Sequence, residues 1–167
     1  ADLRLVTGVP TVDSTIAGYA NGKYRFIFGY YRETSGGSNI LLSTKTGIGE
    51  GYNNTEILVG KMQDAAYTSF SGTGTTSSYA ARLCDVLEYE VNGEVFKDWF
   101  LPSKDELNLM YENLYKKGLG SFVSKYDDYW SSSEDSEGRA WEQHFGTGNQ
   151  YGNDRYYEYR VRPARAF

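Results

Sequence analysis

At 167 residues the chain has the size of one domain, residues 1–167, and can bury a core without disulfide or metal support. A formal charge of −5 argues against a general nucleic-acid binder, which needs a basic field, and no apolar run reaches the length of a membrane span. The lone Cys84 excludes an internal disulfide and, with the lone His144, a zinc site of the usual kind, so a buried structural thiol is expected and no metal or cofactor.

In chain order, Lys23 to Tyr31 (KYRFIFGYY) reads as a strand with bulk on both faces, which predicts a central position. Ser35-Gly36-Gly37 is a turn signal, and Ser38 to Thr44 is expected as a second, shorter strand. Gly47-Ile48-Gly49-Glu50-Gly51 invites a phosphate-loop reading. It fails because Tyr52 stands where the dinucleotide fingerprint needs glycine, and no Gly-Lys-Ser/Thr follows, so a turn-rich loop is expected. Asn54-Thr55-Glu56 opens a predicted helix to about Ala66, with Ile57, Leu58 and Met62 as its apolar stripe. Ser69 to Ser78 is a small-residue loop placed to cap the next helix, Tyr79 to Leu87, whose buried face is Ala80, Leu83, Cys84 and Leu87.

Val91-Asn92-Gly93 marks a turn, and Val95 to Leu101 is a short aromatic stretch ended by Pro102. Ser103-Lys104-Asp105-Glu106 is a capping box, in which the Ser hydroxyl and the Glu carboxylate satisfy opposite orphan amides. Leu107, Met110, Tyr111 and Leu114 then supply a helical face, and Gly118 after Lys116-Lys117 is a fitting stop. Beyond Tyr126 the pattern turns to short strands: Tyr129 to Ser131, Ala140 to Phe145 and Arg155 to Pro163. Strand, helices and then strands make the class α+β.

The last forty residues interleave two vocabularies. A frame of Tyr129-Trp130-Ser131-Ser132-Ser133-Glu134, Ala140-Trp141, Phe145, Gly148 and Tyr159 to Phe167 alternates with Asp135, Gly138, Arg139, His144, Tyr151, Gly152, Asn153, Asp154, Tyr156 and Tyr157. Tyr, Gly, Ser and Asn with scattered Arg is the composition of a paratope, in which Tyr gives contact area at low entropy cost. Tyr156 and Tyr157 are adjacent, so a strand can turn at most one of them inward.

These segments carry a resemblance. Asp98-Trp99-Phe100-Leu101-Pro102-Ser103-Lys104-Asp105-Glu106-Leu107, the Tyr129 to Glu134 block, Ala140-Trp141, Phe145 and the Tyr159 to Phe167 ending are similar to the C-type-lectin-like domain of bacterial, archaeal and phage surface proteins. That group includes the variable proteins of diversity-generating retroelements. Asn53-Asn54-Thr55 and Ala80 to Cys84 add weaker agreement. The resemblance implies a C-type lectin-like fold, with two to three helices packed on short antiparallel sheets, and a diversified region at about residues 129–167. Adenine-directed rewriting of Asn-type codons yields the residue types found at Asp135, Gly138, Arg139, His144, Gly146, Thr147, Tyr151, Gly152, Asn153, Asp154, Tyr156 and Tyr157. Glu137, Glu142 and Glu158 would need a Lys-type codon or be ordinary fixed residues, and of the three only Glu142 is placed in the expected ligand-binding set. Ala164 stands where the family often has Val.

The expected scaffold is Trp99, Trp130, Glu134, Trp141, Phe145, Arg160 and Arg162, with Trp130, Trp141 and Phe145 as core anchors and the Arg160-Val161-Arg162 strand returning beside the N-terminal one. The implied function is non-catalytic display of a face that binds a protein or glycan on a target surface. An extracellular, cell-surface or virion location follows from that, without membrane insertion. The chain begins at Ala1 and shows no signal peptide, which says little about destination.

Competing readings attach to several of these residues. The tryptophans fit a sugar platform less well than a core. A serine nucleophile in Ser131-Ser132-Ser133 would depend on His144, which belongs to the exchangeable set. Asp127-Asp128 offers oxygen ligands for calcium, but the Glu-Pro-Asn and Trp-Asn-Asp sugar-binding signatures are missing. Arg155, Arg160, Arg162 and Arg165 are expected to pair with acids such as Asp127, Asp128 and Glu134 rather than to bind nucleic acid. Glu134 is expected to accept backbone amides or to pair with an arginine. An enzyme related to the formylglycine-generating oxidases would need a second cysteine. A structural or adhesin module of a surface or phage tail assembly is the remaining alternative.

Overall fold

The computed structural model describes residues 25–122 and 127–166. Lys23, Tyr24 and the terminal Phe167, parts of two expected elements, lie outside them. The class is α+β, with three α-helices and small antiparallel sheets among the described residues.

Residues 25–31 run through the centre without forming a regular strand. Phe26 pairs with Tyr159, Ile27 with Tyr79 and Tyr30 with Tyr67, each as an isolated bridge. Gly29, at φ 92°, breaks the alternation, and a Cβ there would come 2.8 Å from the Ala66 Cβ. The expected central burial holds, because Phe26, Ile27, Phe28 and Tyr30 are all buried. The expected strand over Ser38 to Thr44 does not form. Those residues are irregular, and the Leu42 and Thr44 amides donate to Glu134 at 3.1 and 3.2 Å instead of to a neighbouring strand.

Helix α1 spans Gly51–Met62, starting earlier and ending sooner than its sequence signals. Asn54 does not cap it. Its side chain clasps Lys45 from inside the helix, accepting from the amide at 2.8 Å and donating to the carbonyl at 2.6 Å. Strands β1 (Ala66–Tyr67) and β2 (Thr75–Thr76) pair across the small-residue loop, and α2 covers Ala80–Asp85. No side chain caps α2, but its expected face is buried. Strands β3 (Tyr89–Val91) and β4 (Glu94–Phe96) form a hairpin across Asn92 and Gly93, both at positive φ, as a two-residue turn with this twist requires.

Helix α3, Lys104–Asn113, carries the expected capping box. The Ser103 hydroxyl accepts from the Glu106 amide at 3.3 Å, and Glu106 accepts from the Ser103 amide at 2.8 Å. Glu106 also accepts from the Gly49 amide, so the glycine-rich loop docks on this cap. A Cβ on Gly51 would lie 2.2 Å from Glu106 Oε2 and 2.9 Å from the Leu101 carbonyl. The loop's glycine serves close packing. A 3₁₀ turn, Tyr115–Lys117, extends the helix to Gly118 in the left-handed conformation.

The largest sheet among the described residues is β5 (Asp128–Glu134), β6 (Arg139–His144) and β7 (Gln150–Asp154), antiparallel and in that order. A register shift between Trp130 and Glu134 lets Ser131, Ser132 and Ser133 turn to other partners. One face, with Tyr129, Gln143 and Phe145, packs on α3 beside Leu107 and Met110. The other, with Trp130 and Ala140, joins Phe26, Phe28, Leu58 and Val161 in the main core. After β7 the chain does not form the expected strand over Arg155 to Pro163. The Arg155 amide bonds to Gly138 at one end of the sheet, and Tyr159 and Arg160 bridge Phe26 and Tyr129 at the other. Residues 155–159 therefore cross the Trp130 face. The expected return of Arg160-Val161-Arg162 beside the N-terminal segment is met only by the preceding Tyr159, which pairs with Phe26, whereas Arg160 itself pairs with Tyr129 on β5.

Candidate functional site

The frame residues fix the sheet from within. Trp130 is fully buried and donates from Nε1 to the Phe26 carbonyl at 2.9 Å, and Phe145 is equally enclosed. Trp99 is buried and donates to the Phe96 carbonyl at 3.1 Å. Trp141 departs from the expectation. It is half-buried at the sheet surface, with the Lys104 ammonium 3.6 Å from its ring centroid, so it is a cation–π partner rather than a core anchor.

Glu134 and Arg155 form the hub. Glu134 accepts from the Leu42 and Thr44 amides and from Arg155 Nη2 at 2.7 Å. Arg155 is fully buried, donates also to the Ser136 and Arg139 carbonyls, and lies over the Phe28 ring at 5.3 Å. Burial pulls its guanidinium below the usual range, against the opposing pull of Glu134. In the sequence Arg155 stands only as one basic residue among four. Its place as hub had no local signal, because its partners lie 16 to 21 positions away or more.

Of the other arginines, Arg160 and Arg165 pair with acids as expected. Arg160 donates to Asp127 at 2.6 Å, Arg25 pairs with the same carboxylate, and Arg165 pairs with Asp98. Arg162 donates to the Gly120 and Ser121 carbonyls and lies over Phe122. Burial pushes the Asp127 carboxyl up, but Arg160 and Arg25 outweigh it and hold the group below the carboxylate range. With two guanidiniums on Asp127, the Asp127-Asp128 pair is no calcium cradle, and among the described residues no cluster of three or more His, Cys, Asp or Glu could hold a metal. The serines are equally committed. Ser131 donates to the Trp141 carbonyl, Ser133 to the Lys45 carbonyl, and Ser132 accepts from Asn54.

The expected exchangeable residues surround the edge strand β7 and the two turns beside it. Asp135, Arg139, Gly146, Thr147, Tyr151, Tyr156 and Tyr157 are exposed, and Gly138, His144, Gly152, Asn153 and Asp154 are half-buried. Both Tyr156 and Tyr157 are 42 % exposed and touch each other at 4.8 Å between ring centroids. The set is largely closed on itself. Arg139 pairs with Asp154 at 3.5 Å, Asn153 donates to Glu142 at 3.1 Å, and the Thr147 amide donates to His144 Nδ1 at 3.2 Å. The Asp135 carboxylate lies over Gly152, where a Cβ would come within 2.4 Å of it. Gly138 faces the ring of Phe70, which is 58 % exposed and carries no functional signal in the sequence. Gly146 and Thr147 lie at the opposite end of β6 from Gly138 and Tyr156, so the set runs the length of the strand, about 20 Å, with Arg139, Gly152 and Asp154 on one side of the sheet and Tyr151 and Asn153 on the other.

Glu142 contradicts its expected place on the accessible face, being only 2 % exposed. Its cross-strand partners are Trp130 and Tyr151, so it points to the face crossed by residues 155–159. Burial, then the nearby Asp128, push its carboxyl up to about 8, so it holds a proton at neutral pH. Burial raises Asp128 as well, with His144 and Arg25 opposing. The Tyr159 hydroxyl is raised by burial and by these same two acids.

No protein-family model matches the chain, and no curated protein matches it. No helix among the described residues is long and apolar enough to cross a membrane.

Proposed function

We propose that the protein is a non-catalytic display domain of C-type lectin-like type. On this reading its β6–β7 face, with Tyr156 and Tyr157, binds a protein or glycan on a target surface, and that face is the diversified region of a retroelement variable protein. The supporting observation is that the expected exchangeable side chains contact mainly one another, whereas the frame beneath them is held by Arg155, Glu134 and Trp130. A surface whose contacts are internal to itself can be rewritten without unpacking the core.

The test is capture from a displayed surface-protein library and a glycan array. The unchanged chain should enrich discrete targets, and the Tyr156→Ala/Tyr157→Ala variant should lose them while keeping its melting temperature within about 4 °C. Equal capture by both would defeat the assignment. The retroelement part has its own check in the flanking DNA. It requires a reverse-transcriptase gene and a near-copy of the segment encoding residues 129–167 that differs at template adenines.

A further inference from the structure

Among the described residues the buried acids are provided with donors, with one exception. Glu106 receives the Gly49 and Ser103 amides, Asp127 receives Arg25 and Arg160, and Glu134 receives two amides and Arg155. Glu142 receives one neutral donor, Asn153 Nδ2 at 3.1 Å on Oε1, while its buried Oε2 has none. The groups acting on it are Asp128 and Asn153, neither of them a cation. The Asp128 carboxyl is within hydrogen-bonding reach, and two carboxylates can share that contact only through a proton. In the free protein that shared proton serves the contact, and an incoming N–H donor that displaces it would take over the same acceptors.

The surroundings define what that donor would be. Asp128 is half-buried and opens the pair to the surface. Tyr151 stands opposite Glu142 on β7. Tyr159 and Tyr157 lie in the crossing segment, their rings in a chain of contacts that begins at Trp130. The remaining charged groups nearby are His144 on β6, Arg25, which is paired with Asp127, and Asp154 on β7, which is paired with Arg139. Two acids beside the tyrosines of the crossing segment, with no cation among the described residues committed to Glu142, make a receptor for a cation on an aliphatic stem.

We propose that the Asp128–Glu142 pair is the anchor for a lysine or arginine side chain of a protein partner, seated among Tyr151, Tyr157 and Tyr159. This rests on the reading of the face as a binding surface and narrows its target from protein or glycan to a protein presenting a basic residue. Binding exchanges one cation for one proton. The Glu142 carboxylic acid gives its proton to solvent, and the carboxylate accepts the incoming N–H donors. Affinity is therefore linked to pH, rising about tenfold per unit while Glu142 must be deprotonated and levelling above its titration.

The experiment is a carboxyl-carbon NMR titration of the full chain with Nα-acetyl-arginine amide and Nα-acetyl-lysine amide, with calcium chloride and methyl glucoside as comparison probes. The basic probes should lower the Glu142 midpoint by at least one unit, and their affinity should climb between pH 6 and 8, about tenfold per unit. Glu142→Gln, which keeps the acceptor for Asn153, should bind them at least tenfold more weakly at pH 8 and without pH dependence. Asp128→Asn, at a half-exposed position, should lower the Glu142 midpoint unaided and weaken the probes, and it decides the matter if Glu142→Gln does not fold. An unmoved midpoint, pH-independent binding, or a response to calcium or the glucoside alone overturns the proposal. Target capture that still requires Tyr156 and Tyr157 but ignores pH and basic probes would keep the display reading and remove only this anchor.

Discussion

Arg155→Met separates frame from face most sharply. The substitution keeps an unbranched stem over Phe28 but removes the guanidinium, which donates to Glu134 at 2.7 Å and to the carbonyls of Ser136 and Arg139. Glu134 stays 6 % exposed with its amide donors and no counter-ion. Breaking a buried pair from one side costs about 3–5 kcal/mol, because the remaining charge is left uncompensated. For a domain of this size 1 kcal/mol is about 2–4 °C, so melting should fall by about 6–20 °C. Tyr156→Ala/Tyr157→Ala, at residues 42 % exposed, should cost under about 1 kcal/mol in the same urea and thermal titrations. The reasoning is refuted if Arg155→Met loses less than about 1 kcal/mol, or if the tyrosine variant loses as much as the arginine variant.

Two further outcomes are expected. Glu142, near 4.5 when unfolded and about 8 when folded, retains a proton that the unfolded chain releases. Its stabilising contribution is complete below about pH 4.5, declines as pH rises and is gone above about 8, at no more than about 1.4 kcal/mol per unit and less where water reaches the pair. Urea titrations across this window should show that decline, and Glu142→Gln should flatten it. A wild-type slope equal to the variant's would contradict the assignment. Gly51→Ala drives a methyl group into Glu106 Oε2 and the Leu101 carbonyl, and should cost about 1–3 kcal/mol in chemical denaturation, against a gain of a few tenths if the loop were open.

What the sequence made legible was local. The capping box at Ser103, the Asn92-Gly93 hairpin and the inward face of α2 each depend on residues within one or two turns of one another, so their signals survive without knowledge of the rest. Ser38 to Thr44 looked like a strand because its composition suits one, but its amides are claimed by Glu134, some ninety positions away. Asn54 looked like a cap because capping residues also make good clasps, and here the clasp to Lys45 and Ser132 won. In the candidate site the exposed tyrosines followed from adjacency, and Glu134 and Arg160 from charge. The burial of Glu142 and the surface position of Trp141 did not. Both depend on where residues 155–159 and Lys104 come to lie, and a period of two says that faces differ without saying which one is covered.

The claim that a fixed frame carries an exchangeable face is tested most directly by a saturation scan of residues 127–166, sorted on protease resistance of the displayed chain. The account predicts near-complete tolerance at Asp135, Arg139, Gly146, Thr147, Tyr151, Tyr156 and Tyr157, and intolerance at Trp130, Glu134, Ala140, Phe145 and Arg155. Tolerance spread evenly over both groups, or intolerance concentrated at the tyrosines, would contradict it.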